Sequence, residues 1–268
     1  MAADLPQLTD EQRKAWSAGD FAAFAPQLLE PSEQLCESVA ARAGQLVLDV
    51  GTGSGNTALA AARRGCRAAG LDFVRPLLAR ARERSAAEGL GLQLVEGDAQ
   101  ALPFPDETFD AVVSVFGAMF APDQERTASE LLRVCKRGGA IGVTSFPPSG
   151  FAGELFRITA RFAPPTRGAQ PVFRWGTRDG LERLFGDGAV SVDVRTRHFR
   201  LRFLSNQQGA EVFRTAFGPI GMVFSKIGQG RQARLEEALT EHVARYNEAG
   251  GGSAVVPVEY LEVIVRKG

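Results

Sequence analysis

A glycine-rich segment with an acidic residue just before it is the part of this sequence best suited to chemistry. The segment runs Val47-Leu48-Asp49-Val50-Gly51-Thr52-Gly53-Ser54-Gly55-Asn56. Glycines let the chain turn sharply and let a ligand approach the main chain. The helix predicted to follow would present free N–H groups to that ligand. A glycine triplet alone is equally compatible with a purely structural turn.

Two further carboxylates favour a binding site. Asp72 ends the second predicted strand, 21 residues after Gly51, where a carboxylate can accept both hydroxyls of a ribose. Asp98 ends the third predicted strand, where a carboxylate can accept from an adenine amino group. Both residues could instead cap the helices that follow them. Because the carboxyl ends of parallel strands converge, the pattern favours a nucleoside site.

The glycine spacing bears on which nucleoside cofactor fits. A dinucleotide loop has the spacing GxGxxG, whereas this loop has GxGxG, with Asp49 two residues before its first glycine. An anionic Asp49 suits a cationic ligand tail better than a pyrophosphate. A nicotinamide-dependent oxidoreductase is therefore disfavoured.

Short apolar segments alternate with helical ones between residues 43 and 146. The predicted strands are Gln45–Val50, Arg67–Leu71, Leu92–Glu96, Phe109–Phe116 and Ala140–Ser145, and the predicted helices are Thr57–Arg64, Arg75–Glu88 and Asp123–Val134. This alternation is typical of βαβ units with a parallel sheet. The nearly all-apolar strands indicate helices on both faces. We therefore predict a doubly wound α/β fold.

The rest of the chain is predicted to complete that fold. Thr9 and Asp20 are expected to cap lead-in helices. Ser191–Phe203 and Val255–Arg266 are the last two predicted strands, and a change of apolar parity suggests a bulge near residues 196–198. Residues 209–248 are predicted to be helical with a break at Gly218-Pro219, and His242 is expected to be exposed. The predicted divisions are a lead-in (1–42), a core (43–204), a cap insertion (205–250) and a last core strand (251–268).

These motifs resemble the class I S-adenosylmethionine-dependent methyltransferases, most closely the small-molecule branch that includes the ubiquinone and menaquinone biosynthesis enzymes. VLDVGTGSGNTAL resembles the family's first motif, and GLDFV resembles the acidic end of its second strand. VEGDAQALPFPDETFDAVVSVFG resembles its third- and fourth-strand motifs, and ELLRVCKRGGAIGV resembles its fifth, from which Cys135 and Arg137 depart. The family fold is a Rossmann-like seven-stranded sheet with an antiparallel last strand. Residues 205–250 would then be a helical cap inserted before that strand.

The resemblance implies a role for each matching residue. Asp49 and the loop from Gly51 to Gly55 would surround the methionine moiety of S-adenosylmethionine. Asp72 would hold the ribose hydroxyls, and Phe73 would pack on the adenine. The remaining cofactor-binding candidates are Thr52, Gly53, Ser54, Asn56, Asp98, Ala99, Ser114, Val115 and Phe116.

The distribution of aromatic residues indicates what kind of molecule accepts the methyl group. Eleven of the 18 phenylalanines lie between Phe146 and Phe224, where most are expected to form the core of the cap. Some would line an apolar pocket, for which the candidates are Trp16, Phe21, Met119, Phe120, Trp175, Phe213 and Phe217. His198, at the suspected bulge, is the candidate catalytic base. Because the sulfonium is already activated, geometry and desolvation could supply much of the rate without a strong base.

Composition excludes several other classes. The chain has 31 lysines and arginines and 31 aspartates and glutamates, so a nucleic-acid-binding protein or a polybasic membrane protein is disfavoured. Three scattered cysteines predict neither a disulfide framework nor a zinc site, and no signal peptide is recognisable, so a cytoplasmic location is expected. We expect methyl transfer to an oxygen or carbon of a small, largely apolar molecule, with no metal. The alternative is a repurposed fold that binds the cofactor without transferring its methyl group.

Overall fold

A seven-stranded sheet organises the protein. The computed structural model describes residues 5–164, 166 and 170–268. The strands are β1 (Leu46–Val50), β2 (Arg67–Asp72), β3 (Leu92–Glu96), β4 (Phe109–Val115), β5 (Cys135–Ser145), β6 (Ala189–Phe203) and β7 (Ala254–Lys267), in the spatial order β3-β2-β1-β4-β5-β7-β6. β1 to β5 are parallel, whereas β7 is antiparallel to β5 and β6. The predicted doubly wound fold with an antiparallel last strand is confirmed.

Helices cover both faces of this sheet. The first half of the chain contributes α1 (Leu5–Ser17), α2 (Phe21–Phe24), α3 (Leu29–Ser38), α4 (Asn56–Arg63), α5 (Arg75–Ala87) and α6 (Gln124–Val134). Asp20 caps α2 as predicted, since its side chain accepts from the Ala23 N–H. Thr9 was wrongly expected to cap a helix: α1 begins earlier, and Thr9 is buried within it.

The second half of the chain adds α7 (Gly150–Phe162) and α8 (Arg178–Phe185) between β5 and β6. Three helices lie between β6 and β7, in the segment predicted to be a cap: α9 (Asn206–Thr215), α10 (Gly218–Lys226) and α11 (Gln229–Tyr246). The break at Gly218-Pro219 is where α10 begins. Within the described part of the chain, no helix has the length and apolar character needed to span a bilayer.

Strand β5 begins five residues earlier than predicted. Cys135 pairs with Phe109 and Ala140 pairs with Ala111, so the residues between the predicted helix and the predicted strand form an irregularity within the strand pair. Gly138 has a φ of +71° there. Gly138 therefore accommodates the extra residues inside β5.

The expected bulge near residues 196–198 is wrong. Pairing between β6 and β7 is regular from Ser191 to Phe203, and the register shift lies between Ala189 and Ser191. In a regularly paired strand, successive side chains point to opposite faces of the sheet. The change of apolar parity therefore means that one face is covered at the beginning of β6 and the other face at its end. β6 contacts both α8 and α9, and Phe203 at its end packs against Phe213 of α9.

Candidate active site

The glycine loop joins β1 to α4 at the carboxyl end of the sheet, beside the point where the strand order reverses. Gly51, Gly53 and Gly55 have φ values of +71°, +53° and +90°. These values lie in the left-handed region, which other residues adopt only at a cost. The N–H groups of Gly51 and Thr52 donate to the Leu71 carbonyl at 2.8 and 2.9 Å, which ties the loop to β2.

Asp49 lies behind this loop and holds its shape. Its Oδ2 accepts from Thr52 Oγ1 at 2.7 Å and from the Ala58 N–H at 3.0 Å. Its Oδ1 is buried and has no partner among the described residues. Burial raises the pKa of Asp49 to about 7, although these hydrogen bonds oppose the rise.

Asp72 connects the end of β2 to the loop. Its Oδ2 accepts from the Gly53 N–H and its Oδ1 from the Val74 N–H, each at 2.8 Å. Each oxygen retains a lone pair for a ligand hydroxyl. Burial raises the pKa of Asp72, and the backbone N–H groups act against that rise.

A cleft of about 760 Å³ opens in front of these residues. Eight of the predicted cofactor-binding residues line it: Gly51, Gly53, Asp72, Phe73, Asp98, Ala99, Val115 and Phe116. The other candidates do not line the cleft, and some of them support its lining from behind: Asp49, Thr52, Ser54, Gly55, Asn56 and Ser114. Ser114 shows how: its Oγ donates to the Val50 carbonyl at 2.6 Å and accepts from the Ala118 N–H at 2.9 Å.

Sequence reasoning missed three polar residues of this cleft, Thr9, Gln12 and Gln100. Gln100 is buried, and its amide donates to both oxygens of Asp98, at 3.0 and 2.9 Å. The GDAQ context gave no signal for this contact, and Thr9 was interpreted as a cap.

The cleft fits a nucleoside that carries a cationic tail. Two carboxylates, Asp72 and Asp98, face it for hydroxyl and amino donors. A Cβ placed on Gly53 would lie 3.7 Å from the Phe21 ring, so this glycine keeps room between the loop and that ring. When it is ionised, the Asp49 carboxylate, whose Oδ1 has no partner among the described residues, supplies negative charge behind the loop.

A second pocket, of about 470 Å³, adjoins the cleft. Trp16, Phe21, Phe116 and Phe120 line both spaces. The other residues that line the second pocket are all apolar: Phe24, Leu28, Phe146, Phe151, Ala152, Leu155, Phe156, Phe199, Leu201, Phe213, Phe217 and Val258.

Phe116 is one of the four residues that line both spaces. Its φ is +51°, which is unusual for a residue with a side chain. The Phe116 N–H donates to Thr144 Oγ1 at 3.0 Å, and its ring stacks on Phe146 with centroids 4.1 Å apart. These contacts hold a strained backbone where the two pockets meet.

The structure does not bring every residue that was predicted to line an apolar pocket to this second pocket. Trp16, Phe21, Phe120, Phe213 and Phe217 line it, whereas Met119 and Trp175 do not. Met119 is buried on a single helical turn beside Phe120. Trp175 packs edge-on against Phe185, and its carbonyl accepts from the Ser145 hydroxyl.

The two histidines also lie outside the pockets. His198 is exposed, 3.8 Å from Glu259, on the side of β6 opposite to the pocket residues Phe199 and Leu201, so the candidate base is not placed at the site. His242 was wrongly expected to be exposed: it is fully buried, and its Nε2 lies 2.9 Å from the Phe151 carbonyl. Burial lowers the pKa of His242.

Comparisons with known proteins identify the family. A protein-family model described as a methyltransferase domain matches residues 48–143 of this chain. A protein of uncharacterised function from Mycobacterium tuberculosis is 38% identical over 95% of this chain and 93% of its own length. The phosphatidylethanolamine N-methyltransferase of Cereibacter sphaeroides is 33% identical over 68% of this chain and 87% of its own length.

Two further similarities agree. The demethylmenaquinone methyltransferase of Thermus thermophilus is 42% identical over 44% of this chain and 55% of its own length. The crystal structure of Bacillus subtilis YcgJ has a TM-score of 0.60 at 19% identity, covering 89% of this chain and 98% of that chain, which shows a shared fold.

The fold, the loop and these similarities define a Rossmann-like methyltransferase. The chain belongs to the class I S-adenosylmethionine-dependent methyltransferases.

Proposed function

We propose that the enzyme transfers the methyl group to an oxygen or carbon of a small, largely apolar molecule. The observation that carries this proposal is the second pocket. Its lining side chains among the described residues are all apolar, and it shares Trp16, Phe21, Phe116 and Phe120 with the cofactor cleft. Such a pocket binds by burying apolar surface, at roughly 25 cal/mol per Å². A polar acceptor would lose its hydration there without gaining hydrogen bonds from side chains.

We also propose how the cofactor is held. Asp72 would accept from the ribose hydroxyls, Asp98 and the Ala99 backbone would receive the adenine, and Asp49 would attract the cationic tail. When bound, S-adenosylmethionine supplies an activated methyl group. The protein's own contribution is orientation and exclusion of water, because the shared aromatic wall (Trp16, Phe21, Phe116 and Phe120) encloses the junction.

N-methylation of an amine with apolar chains is a second candidate. Eleven of the second pocket's lining side chains are aromatic, and aromatic faces attract cations. The relative from Cereibacter sphaeroides is named for an amine-bearing lipid. This candidate shares the apolar pocket and differs in the acceptor atom.

An acceptor panel distinguishes these functions. S-adenosylhomocysteine release is measured with an alkyl-substituted hydroquinone, with phosphatidylethanolamine in detergent, and with free ethanolamine. Turnover of the hydroquinone supports the first proposal, turnover of phosphatidylethanolamine alone supports the second, and turnover of free ethanolamine alone contradicts both.

Val258→Phe provides a matched variant, because Val258 lines only the second pocket. The larger ring should raise KM for the accepted substrate at least several-fold and leave the Kd for S-adenosylhomocysteine unchanged. An unchanged KM would show that the acceptor binds elsewhere.

We propose further that the partner is a small molecule rather than a nucleic acid, and that the enzyme works in the cytoplasm. The balanced charge of the chain supports the first point. The three cysteines, which are buried and unpaired, support a reducing compartment.

A further inference from the structure

Gln100 connects the adenine end of the cleft to helix α1. Its Oε1 accepts from the Asp123 N–H at 2.8 Å, which fixes the orientation of the amide. Nε2 then donates to both oxygens of Asp98 and, at 3.0 Å, to Thr9 Oγ1. One buried amide therefore holds a cleft carboxylate and a residue of α1 together.

Helix α1 runs along the cleft from that contact to the second, apolar pocket, which is the proposed acceptor pocket. Thr9, Gln12 and Trp16 line the cleft at a spacing that places them on one helical face. Seven residues of helix rise by about 10 Å, so Thr9 and Trp16 lie at different ends of the site. Trp16 also lines the second pocket, where its ring contacts Phe120 and Phe217 at centroid distances of 5.0 and 5.1 Å.

The far end of α1 is attached to the cap. A Cβ on Gly218, the first residue of α10, would lie 2.0 Å from the Ala15 carbonyl oxygen, so the two helices approach as closely as a glycine allows. The Asp20 N–H, just after α1, donates to the Thr215 carbonyl at 3.1 Å. Movement of α1 would therefore disturb both the cofactor cleft and the apolar pocket.

We propose that Gln100 is a positioning residue that couples cofactor binding to the acceptor pocket through α1. A cofactor that contacts Asp98, Thr9 and Gln12 favours the docked position of α1. The docked helix places Trp16 as a wall of the apolar pocket. Because coupling between two sites is reciprocal, a ligand in the apolar pocket should also strengthen cofactor binding.

The test uses S-adenosylhomocysteine and hydrogen exchange of the full chain, with no acceptor. Thr9→Val keeps the shape of the side chain and removes the hydroxyl through which α1 contacts Gln100. Thr240→Val is the matched control, since the Thr240 hydroxyl bonds within its own helix, to the Glu236 carbonyl. Gln100→Leu removes the amide itself.

We expect Thr9→Val and Gln100→Leu to raise the Kd for S-adenosylhomocysteine about two- to ten-fold, as loss of one hydrogen bond predicts. In the wild type, saturating S-adenosylhomocysteine should slow exchange of the α1 amides. That protection should be at least halved in both variants and unchanged in Thr240→Val.

Three results would overturn the proposal: an unchanged Kd, a raised Kd with undiminished α1 protection, or full restoration of protection at saturation. The effect on the acceptor pocket rests on the proposed function, but the exchange measurement does not. The acceptor could therefore prove polar while the Gln100 coupling stands.

Discussion

Replacing the buried Asp49 carboxylate with the neutral amide of asparagine should stabilise the ligand-free protein. Asp49 is 1% exposed, and one of its oxygens has no hydrogen-bond partner among the described residues. Asparagine keeps the shape of the side chain, and its amide oxygen can still accept from the Ala58 N–H. The substitution therefore removes the buried charge with little change in packing.

The pKa of Asp49 sets the magnitude of this stabilisation. It rises from 3.8 to about 7, a difference of about 3 units, and each unit corresponds to about 1.36 kcal/mol. The folded state holds the proton more tightly than the unfolded state, so the destabilisation is fully present above pH 7 and vanishes below pH 3.8. The gain from Asp49→Asn should therefore approach about 4 kcal/mol at pH 8, as an upper bound, and shrink as the pH falls.

Thermal unfolding of both proteins without ligand, at pH 8 and at pH 5, measures this gain. For a chain of this size, each kcal/mol shifts Tm by about 2–4 °C. The same variant should bind S-adenosylhomocysteine more weakly, since its cationic amino group would lose a nearby carboxylate. A gain that is absent at pH 8, or equal at both pH values, would refute the argument from the buried charge.

Three other substitutions probe the rest of the site and the cap. Asp72→Ala should lose about 1.5–3 kcal/mol of S-adenosylhomocysteine affinity, measured by calorimetry, because charge-assisted hydrogen bonds disappear; an unchanged Kd would contradict the ribose role. Gly53→Val should abolish binding while circular dichroism shows a folded protein, and retained binding would contradict the loop assignment. Burial favours the neutral imidazole of His242, so the wild type should lose stability as the pH falls below 6.5. His242→Phe should abolish that loss. Urea unfolding at pH 7.5 and 5.5 checks this, and equal pH dependence in both proteins would contradict it.

Local patterns predicted most of the residues that the structure brings to the cleft, because the glycine loop and the two carboxylates are each marked by short segments of sequence. The glycine loop, Asp72 and Asp98 each stand at a strand end that apolar runs mark clearly. The strand order then brings these ends together without further information.

Long-range contacts explain what sequence reasoning missed. Gln100 bonds to Thr9, 91 residues away, and no local pattern marks that pairing. His242 was detectable: with Leu235 and Leu239 it follows helical spacing on one buried face, although charged neighbours hid the pattern. Val192 and Phe199 suggested a bulge because a strand covered on opposite faces at its two ends has the same alternation as a bulged one.

Transfer of a labelled methyl group tests the central claim most directly. The protein would be incubated with trideuteromethyl S-adenosylmethionine and a small-molecule extract separated by polarity, and products would be sought by mass spectrometry. We predict a product heavier by one trideuteromethyl group in the apolar fractions, in equal amount to S-adenosylhomocysteine, and its loss in Gly53→Val. Label appearing only in polar fractions, or no transfer by a protein that binds the cofactor, would contradict the proposed function.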